Sequence, residues 1–141
     1  MATKKPSGKI SSLERALIQS AIIQVYDAEV AFQKYLFEQT PETQSAALVQ
    51  AKNTEAKLLE VFRLGFTGPL FESIKLKFKA SIKMVELLES PGKINHIMGR
   101  LPHKSSYLTV IGSLTETVGS RTLATMIADA YLQKNLKTLK E

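Results

Sequence analysis

Three prolines fix most of what this chain can become. Pro41 lies in Thr40-Pro41-Glu42, Pro69 in Thr67-Gly68-Pro69, and Pro91 in Ser90-Pro91-Gly92. Proline has no N–H to give and a fixed φ, so it suits the first turn of a helix and interrupts strands and helix interiors. Thr40-Pro41-Glu42 offers a cap, a proline and an acid in the order a helix start needs. Thr67-Gly68-Pro69 opens a further helix by the same logic, and Ser90-Pro91-Gly92 ends it. The segments between these points are long enough for helices, and their apolar spacing decides whether they are.

Ahead of Pro41, Ser11-x-x-Glu14 has capping-box spacing. Apolar residues then recur mostly at steps of three and four, from Leu13 through Leu17, Ala21, Val25, Ala28 and Phe32 to Leu36. This predicts a helix to about Gln39, about 40 Å long. A second helix is expected from Pro41 to about Leu64, stopped by Gly65, with a polar middle from Gln50 to Ala56. A short helical segment, Lys93 to Leu101, follows the third helix and is closed by Pro102. Ser105 or Ser106 caps a further helix, Gly119-Ser120 is a kink or a break, and a last helix runs to Leu139. The fold expected is all-α: a four-helix-bundle-like domain over residues 12–141, four main helices plus a short one, behind a basic arm at 1–11.

One stretch resists this reading. Ile74-Lys75-Leu76-Lys77-Phe78-Lys79 alternates apolar with lysine, as a half-buried strand does. The wider window decides for helix, because Phe71, Ile74, Phe78, Ile82 and Val85 keep helical spacing over several turns. With Lys75 set at 0° on the helical wheel, Lys79 falls near about 40° and Lys83 near about 80°. Phe71, Ile74, Phe78, Ile82 and Val85 fill an arc of about 260° to 340°, and Leu76, Ala80, Met84 and Leu87 a second of about 100° to 180°. Lys77, near about 200°, lies apart from the lysine strip. A surface helix needs one apolar arc. Two arcs imply a central place in the bundle or burial against a second chain, which makes Leu76, Ala80, Met84 and Leu87 candidate interface residues.

Charge narrows the partner. The chain carries 19 Lys/Arg against 13 Asp/Glu, a formal net charge of +6. Residues 75–104 hold seven Lys/Arg and two Asp/Glu, so nearly all of the excess sits in one window. Lys93, His96, Arg100 and Lys104 recur at steps of three and four, a second basic stripe if helical. Clustered charge of this kind points to a polyanion, bound through phosphates without reading sequence. The competing reading of Lys75, Lys79 and Lys83 is a solvated face with snorkelling stems. The N-terminal Lys4, Lys5 and Lys9 are a flexible tail or an arm lying on the same polyanion.

Other chemistry is excluded or unannounced. The absence of cysteine rules out disulfides, thiol catalysis and Cys-type zinc or iron–sulfur sites. His96 and His103 are the only histidines and lack a third ligand in pattern, so no metal is expected. No H-E-x-x-H, Walker loop or G-x-S-x-G is present. The basic N-terminus lacks the apolar run of a secretory signal, and no run suffices to span a membrane. No enzyme activity and no cofactor are expected.

The order of parts resembles a known family. A basic arm precedes two helices, then Gly65-Phe66-Thr67-Gly68-Pro69 opens a helix carrying Ile74, Phe78 and Lys79, and a Pro/Gly break follows. This is similar to the major capsid proteins of filamentous and rod-shaped archaeal DNA viruses, of the lipothrixvirus and rudivirus type. The resemblance covers the arm, the overall size and residues 57–95. The C-terminal part, with Gly119 and the Lys134, Lys137, Lys140 end, departs from the rod-shaped type and fits the filamentous one better. The resemblance implies a virion protein, assembled in the host cytoplasm, whose homo- or heterodimers wrap double-stranded DNA in a helical filament. Carried over, Lys4, Lys5, Lys9 and Arg15 would contact phosphates. Lys75, Lys79, Lys83, Lys93, Arg100 and Lys104 have no counterpart in that motif and are candidates from charge alone. The alternatives are a helical small subunit of a larger nucleic-acid-binding complex, a plain helical interaction module, and a membrane-surface protein docking through the first helix.

Overall fold

A computed structural model describes residues 11–65, 67–101 and 106–140, with side chains described to residue 133. Those residues are all-helical, in the order α1 (Ser12–Phe37), α2 (Pro41–Phe62), α3 (Pro69–Glu89), α4 (Pro91–Gly99), α5 (Tyr107–Val118) and α6 (Arg121–Lys140).

The starts of α1, α2 and α5 follow the chemistry read from sequence, whereas α3 opens behind Gly68 without a side-chain cap and α4 opens at Pro91, in the stretch read as an end. Ser11 and Glu14 form a reciprocal capping box on α1, with Glu14 N–H donating to Ser11 Oγ at 3.2 Å and Ser11 N–H to Glu14 Oε1 at 2.9 Å. Thr40 and Thr43 do the same on α2, and Pro41, Pro69 and Pro91 each occupy a first-turn position. Ser106 caps α5. Gly119 takes a left-handed conformation (φ 71°) and ends α5, while Ser120 Oγ accepts from Leu123 N–H at the start of α6. Gly119-Ser120 is therefore a break and not a kink. Ser90 is at once the C-cap of α3 and the N-cap of α4. Pro91 thus begins α4 directly, and no linker separates the two helices.

The three-residue connection at 38–40 folds α2 back against α1. Gln24 Nε2 donates to Gln50 Oε1 at 2.6 Å, Thr54 Oγ1 donates to Gln24 O at 3.2 Å, and Lys57 Nζ donates to Ser20 Oγ at 2.8 Å. Partners that rise on one helix as they fall on the other describe an antiparallel pair. The polar middle of α2 is thereby spent on α1. Gln44 Nε2 reaches Leu88 O at 2.7 Å, satisfying a carbonyl left open at the end of α3. No buried side-chain nitrogen or oxygen among the described residues lacks a partner.

Two apolar clusters flank this polar belt. The smaller holds Ile18, Val25, Leu58, Val61 and Ile74, edged by Phe62, which packs edge-on against Phe71 and Phe78 at 5.6 and 5.1 Å between ring centroids. The larger joins Phe32 and Leu36 of α1 with Leu88 of α3, Ile94 of α4, Leu114 of α5 and Ile127 of α6, all fully buried. Tyr131 ties α6 to the exit of α4 through Leu101 O at 3.2 Å.

The two arcs of α3 prove to be flanks of one face. Ile74, Ser81, Met84, Leu87 and Leu88 are its buried residues, and on the same wheel they span about 120° to 260°. Met84 and Leu87, at 3% and 2% exposure, are covered by the chain's own larger cluster and present nothing to a second chain. Ala80 is half-buried against that cluster, and Leu76, at 67%, is the one expected interface residue that stands open. A second protomer is not needed to explain the width of the apolar face.

Candidate nucleic-acid interface

Lys75, Lys79 and Lys83 lie on the side of α3 opposite its buried face, as the spacing required. They are not alone there. Glu72, one turn earlier, holds Lys75 at 3.6 Å, and Glu86, one turn later, holds Lys83 at 3.3 Å. The order along the strip is Glu, Lys, Lys, Lys, Glu, with an i,i+3 ion pair at each end. Lys75 also sits over the Phe71 ring, 5.6 Å from its centroid. Lys79, between the two pairs, is exposed and has no carboxylate of the described residues within ion-pair distance.

The elbow at Ser90 carries the charge onward. Lys93 of α4 reaches back to Glu86 Oε1 at 2.9 Å, so Glu86 receives two lysines. Their hydrogen bonds, Lys93 first and then Lys83, hold its carboxyl below the usual carboxylate range. Lys52 and Glu89 form a further exposed pair at 3.5 Å. Arg100 caps the end of α4, exposed and with no ion pair among the described residues. Arg15 is exposed near the start of α1, at the end of the molecule where the smaller cluster lies. Lys4, Lys5, Lys9 and Lys104 fall outside the described residues. The structure thus joins Lys75, Lys79, Lys83 and Lys93 into one surface, with Arg100 beyond it. It leaves Arg15 on another helix.

The basic window at 75–104 leaves out Glu72, whereas Glu86 and Glu89 pair with lysines as acids on a lysine-rich helix are expected to. The signal was available: Glu72/Lys75 and Lys83/Glu86 are each three apart. Exposed pairs of this kind contribute only about 0–1 kcal/mol apiece. Their consequence is for charge, since Lys75, Lys83 and Lys93 are partly neutralised and Lys79 is not.

Lys77 has a different setting. It is half-buried and lines a cleft of about 280 Å³ with Glu29 of α1, Ala80 of α3 and Arg121 of α6. Burial raises the Glu29 carboxyl above its ordinary value, and Lys77 lowers it by less. Sequence periodicity placed Lys77 apart from the strip but not beside an acid. Among the described residues no group of three or more His, Asp or Glu could hold a metal ion, and no helix is long and apolar enough to cross a membrane. Comparison with protein-family models, curated proteins and solved structures returned no match.

Proposed function

We propose that the chain is a structural nucleoprotein: a four-helix-bundle-like capsid subunit that coats double-stranded DNA through phosphate contacts, whatever the sequence, in a helical filament. Its neighbours are copies of itself or a paralogous subunit, and its place is the virion, with assembly in the host cytoplasm. The observation that supports this reading is the position of Lys79. It is a cation with no ion pair among the described residues, in the middle of a solvent-facing lysine strip that continues across the Ser90 elbow to Lys93. Lysine ammonium groups on such a strip neutralise backbone phosphates and carry no base-reading geometry. Catalysis and cofactors have no part in it.

The test is duplex binding at increasing salt, with electron microscopy of the protein alone and with DNA. Binding that falls steeply with salt, and filaments that need DNA, are the expected results. Affinity that is absent, or indifferent to salt, would refute it. The ion pairs of Glu72 and Glu86 favour a second reading, a non-enzymatic helical interaction module or small subunit of a larger complex. In that case neutralising Lys79 leaves function intact.

A further inference from the structure

Apolar exposure on this molecule is uneven. Among the described residues, six of the thirteen exposed large apolar side chains lie on α1, although α1 also contributes seven buried residues to the two clusters. Ile23, Tyr26, Val30 and Phe37 are 62%, 65%, 49% and 43% exposed. With half-buried Gln33 they recur at steps of three, four, three and four, the a and d spacing of a helix-pairing seam. The core stripe of α1 and this seam occupy different faces of one helix. Beside the seam α6 forms a wall: Gln33 and Phe37 share one hollow with Asp129 and Leu132, and Tyr26 and Val30 share another with Thr125 and Met126.

We infer that this groove receives α1 of a second copy of the chain, antiparallel, in a two-fold contact. Self-pairing is favoured by charge. Asp27 and Lys34 flank the seam on the same side, one heptad apart, and neither has an ion pair among the described residues. In an antiparallel pair centred between Val30 and Gln33, Tyr26 lies opposite Phe37 of the second copy. Asp27 then comes beside Lys34 of the second copy, and the two-fold axis repeats the pair. A parallel two-fold pair would instead put Asp27 of one copy and Lys34 of the other on opposite sides of the seam, where they cannot pair. Size requires that the contact include α6. The seam is about 21 Å long and a helix about 10–12 Å wide, a footprint well below the roughly 800 Å² per partner of a stable interface, so the α6 wall must contribute the rest.

The inference supplies the neighbouring-subunit contact that the proposed function needs, and in that sense rests on it, but its test uses no DNA. Sedimentation of the full chain over a micromolar range should show a concentration-dependent dimer. Val30→Glu places a carboxylate in the seam of each copy and should weaken the dimer by roughly a hundredfold while circular dichroism stays helical. Asp27→Lys and Lys34→Asp should each weaken it by roughly tenfold, and the double exchange should restore it. A chain that is monomeric throughout, a dimer untouched by Val30→Glu, or a double exchange that fails to restore would each overturn the inference. So would a monomer that floats with anionic vesicles through Ile23 and Tyr26, since a lipid surface would then own the seam. Loss of DNA binding with the dimer intact would sink the nucleoprotein reading and leave this one standing.

Discussion

Glu29 of α1 stands against Lys77 of α3: burial pushes its carboxyl up, and the ammonium pulls it back only in part. A raised folded value means that the folded chain holds this proton more tightly than the unfolded chain does. The stability it contributes is present below the ordinary value near 4.5 and is lost as pH rises through the raised one. Glu29→Gln should therefore be more stable than wild type at pH 7, with the advantage gone at pH 3.5. Urea midpoints at the two pH values check this, and an equal difference at both would count against it.

The unequal flanks of α3 give a second expectation. Leu88 is fully buried and Leu76 is 67% exposed, although both are leucines on one helix. Leu88→Ala should cost about 2–5 kcal/mol, the transfer term plus a cavity. Leu76→Ala should change stability by about 0.5 kcal/mol or less. Denaturant titration of the pair is the measurement, and comparable losses would mean that Leu76 is covered after all.

This contrast also marks how far the sequence could be read. Helix type and order were legible because Ser11, Thr40, Pro41, Pro69 and Ser106 supply start chemistry, but the number was not: four main helices plus a short one were expected, and the left-handed Gly119 separates α5 from α6 to make six among the described residues. Ends were less legible: α1 stops at Phe37 and α2 at Phe62, each two residues short of expectation, because nothing in a spacing pattern records where backbone bonding gives out. The breadth of the α3 face misled for a different reason. A wheel shows which side chains are apolar but not how far neighbouring helices wrap around them, so one wide face read as two. The seam on α1 was hidden in the opposite way. Ile23, Tyr26 and Val30 stood among the core residues of the same helix, and only burial separates the two sets.

Two glycines predict shifts of opposite sign. Gly119 has φ 71° and Gly112 lies within α5, and a Cβ on either would meet nothing within 4 Å. Gly119→Ala must therefore bear only the left-handed backbone penalty, about 1–2 kcal/mol destabilising. Gly112→Ala should stabilise by about 0.5–1 kcal/mol, since a helix interior favours alanine. Thermal unfolding of both variants tests the break between α5 and α6, and a neutral Gly119→Ala would contradict it.

Neutralising the strip one residue at a time separates free from paired lysines. Lys79→Gln should lower the dependence of log affinity on log salt by about 0.9, the share of one phosphate contact. Lys83→Gln should lower it by less, because Glu86 already holds that ammonium. Fluorescence anisotropy with a short duplex over a salt series reads both slopes. Equal effects would mean that Glu86 lets go when DNA arrives.

With Ser90 closing one helix and opening the next, α3 and α4 have no slack between them. Lys83 and Lys93 meet the same carboxylate from either side of that joint. The backbone that carries Lys75, Lys79, Lys83 and Lys93 is therefore helix up to and away from a single shared residue, while the exposed ammonium groups keep their own freedom. If the nucleoprotein reading holds, a phosphate backbone laid along this corner would meet a bent helical path with no loop to give way.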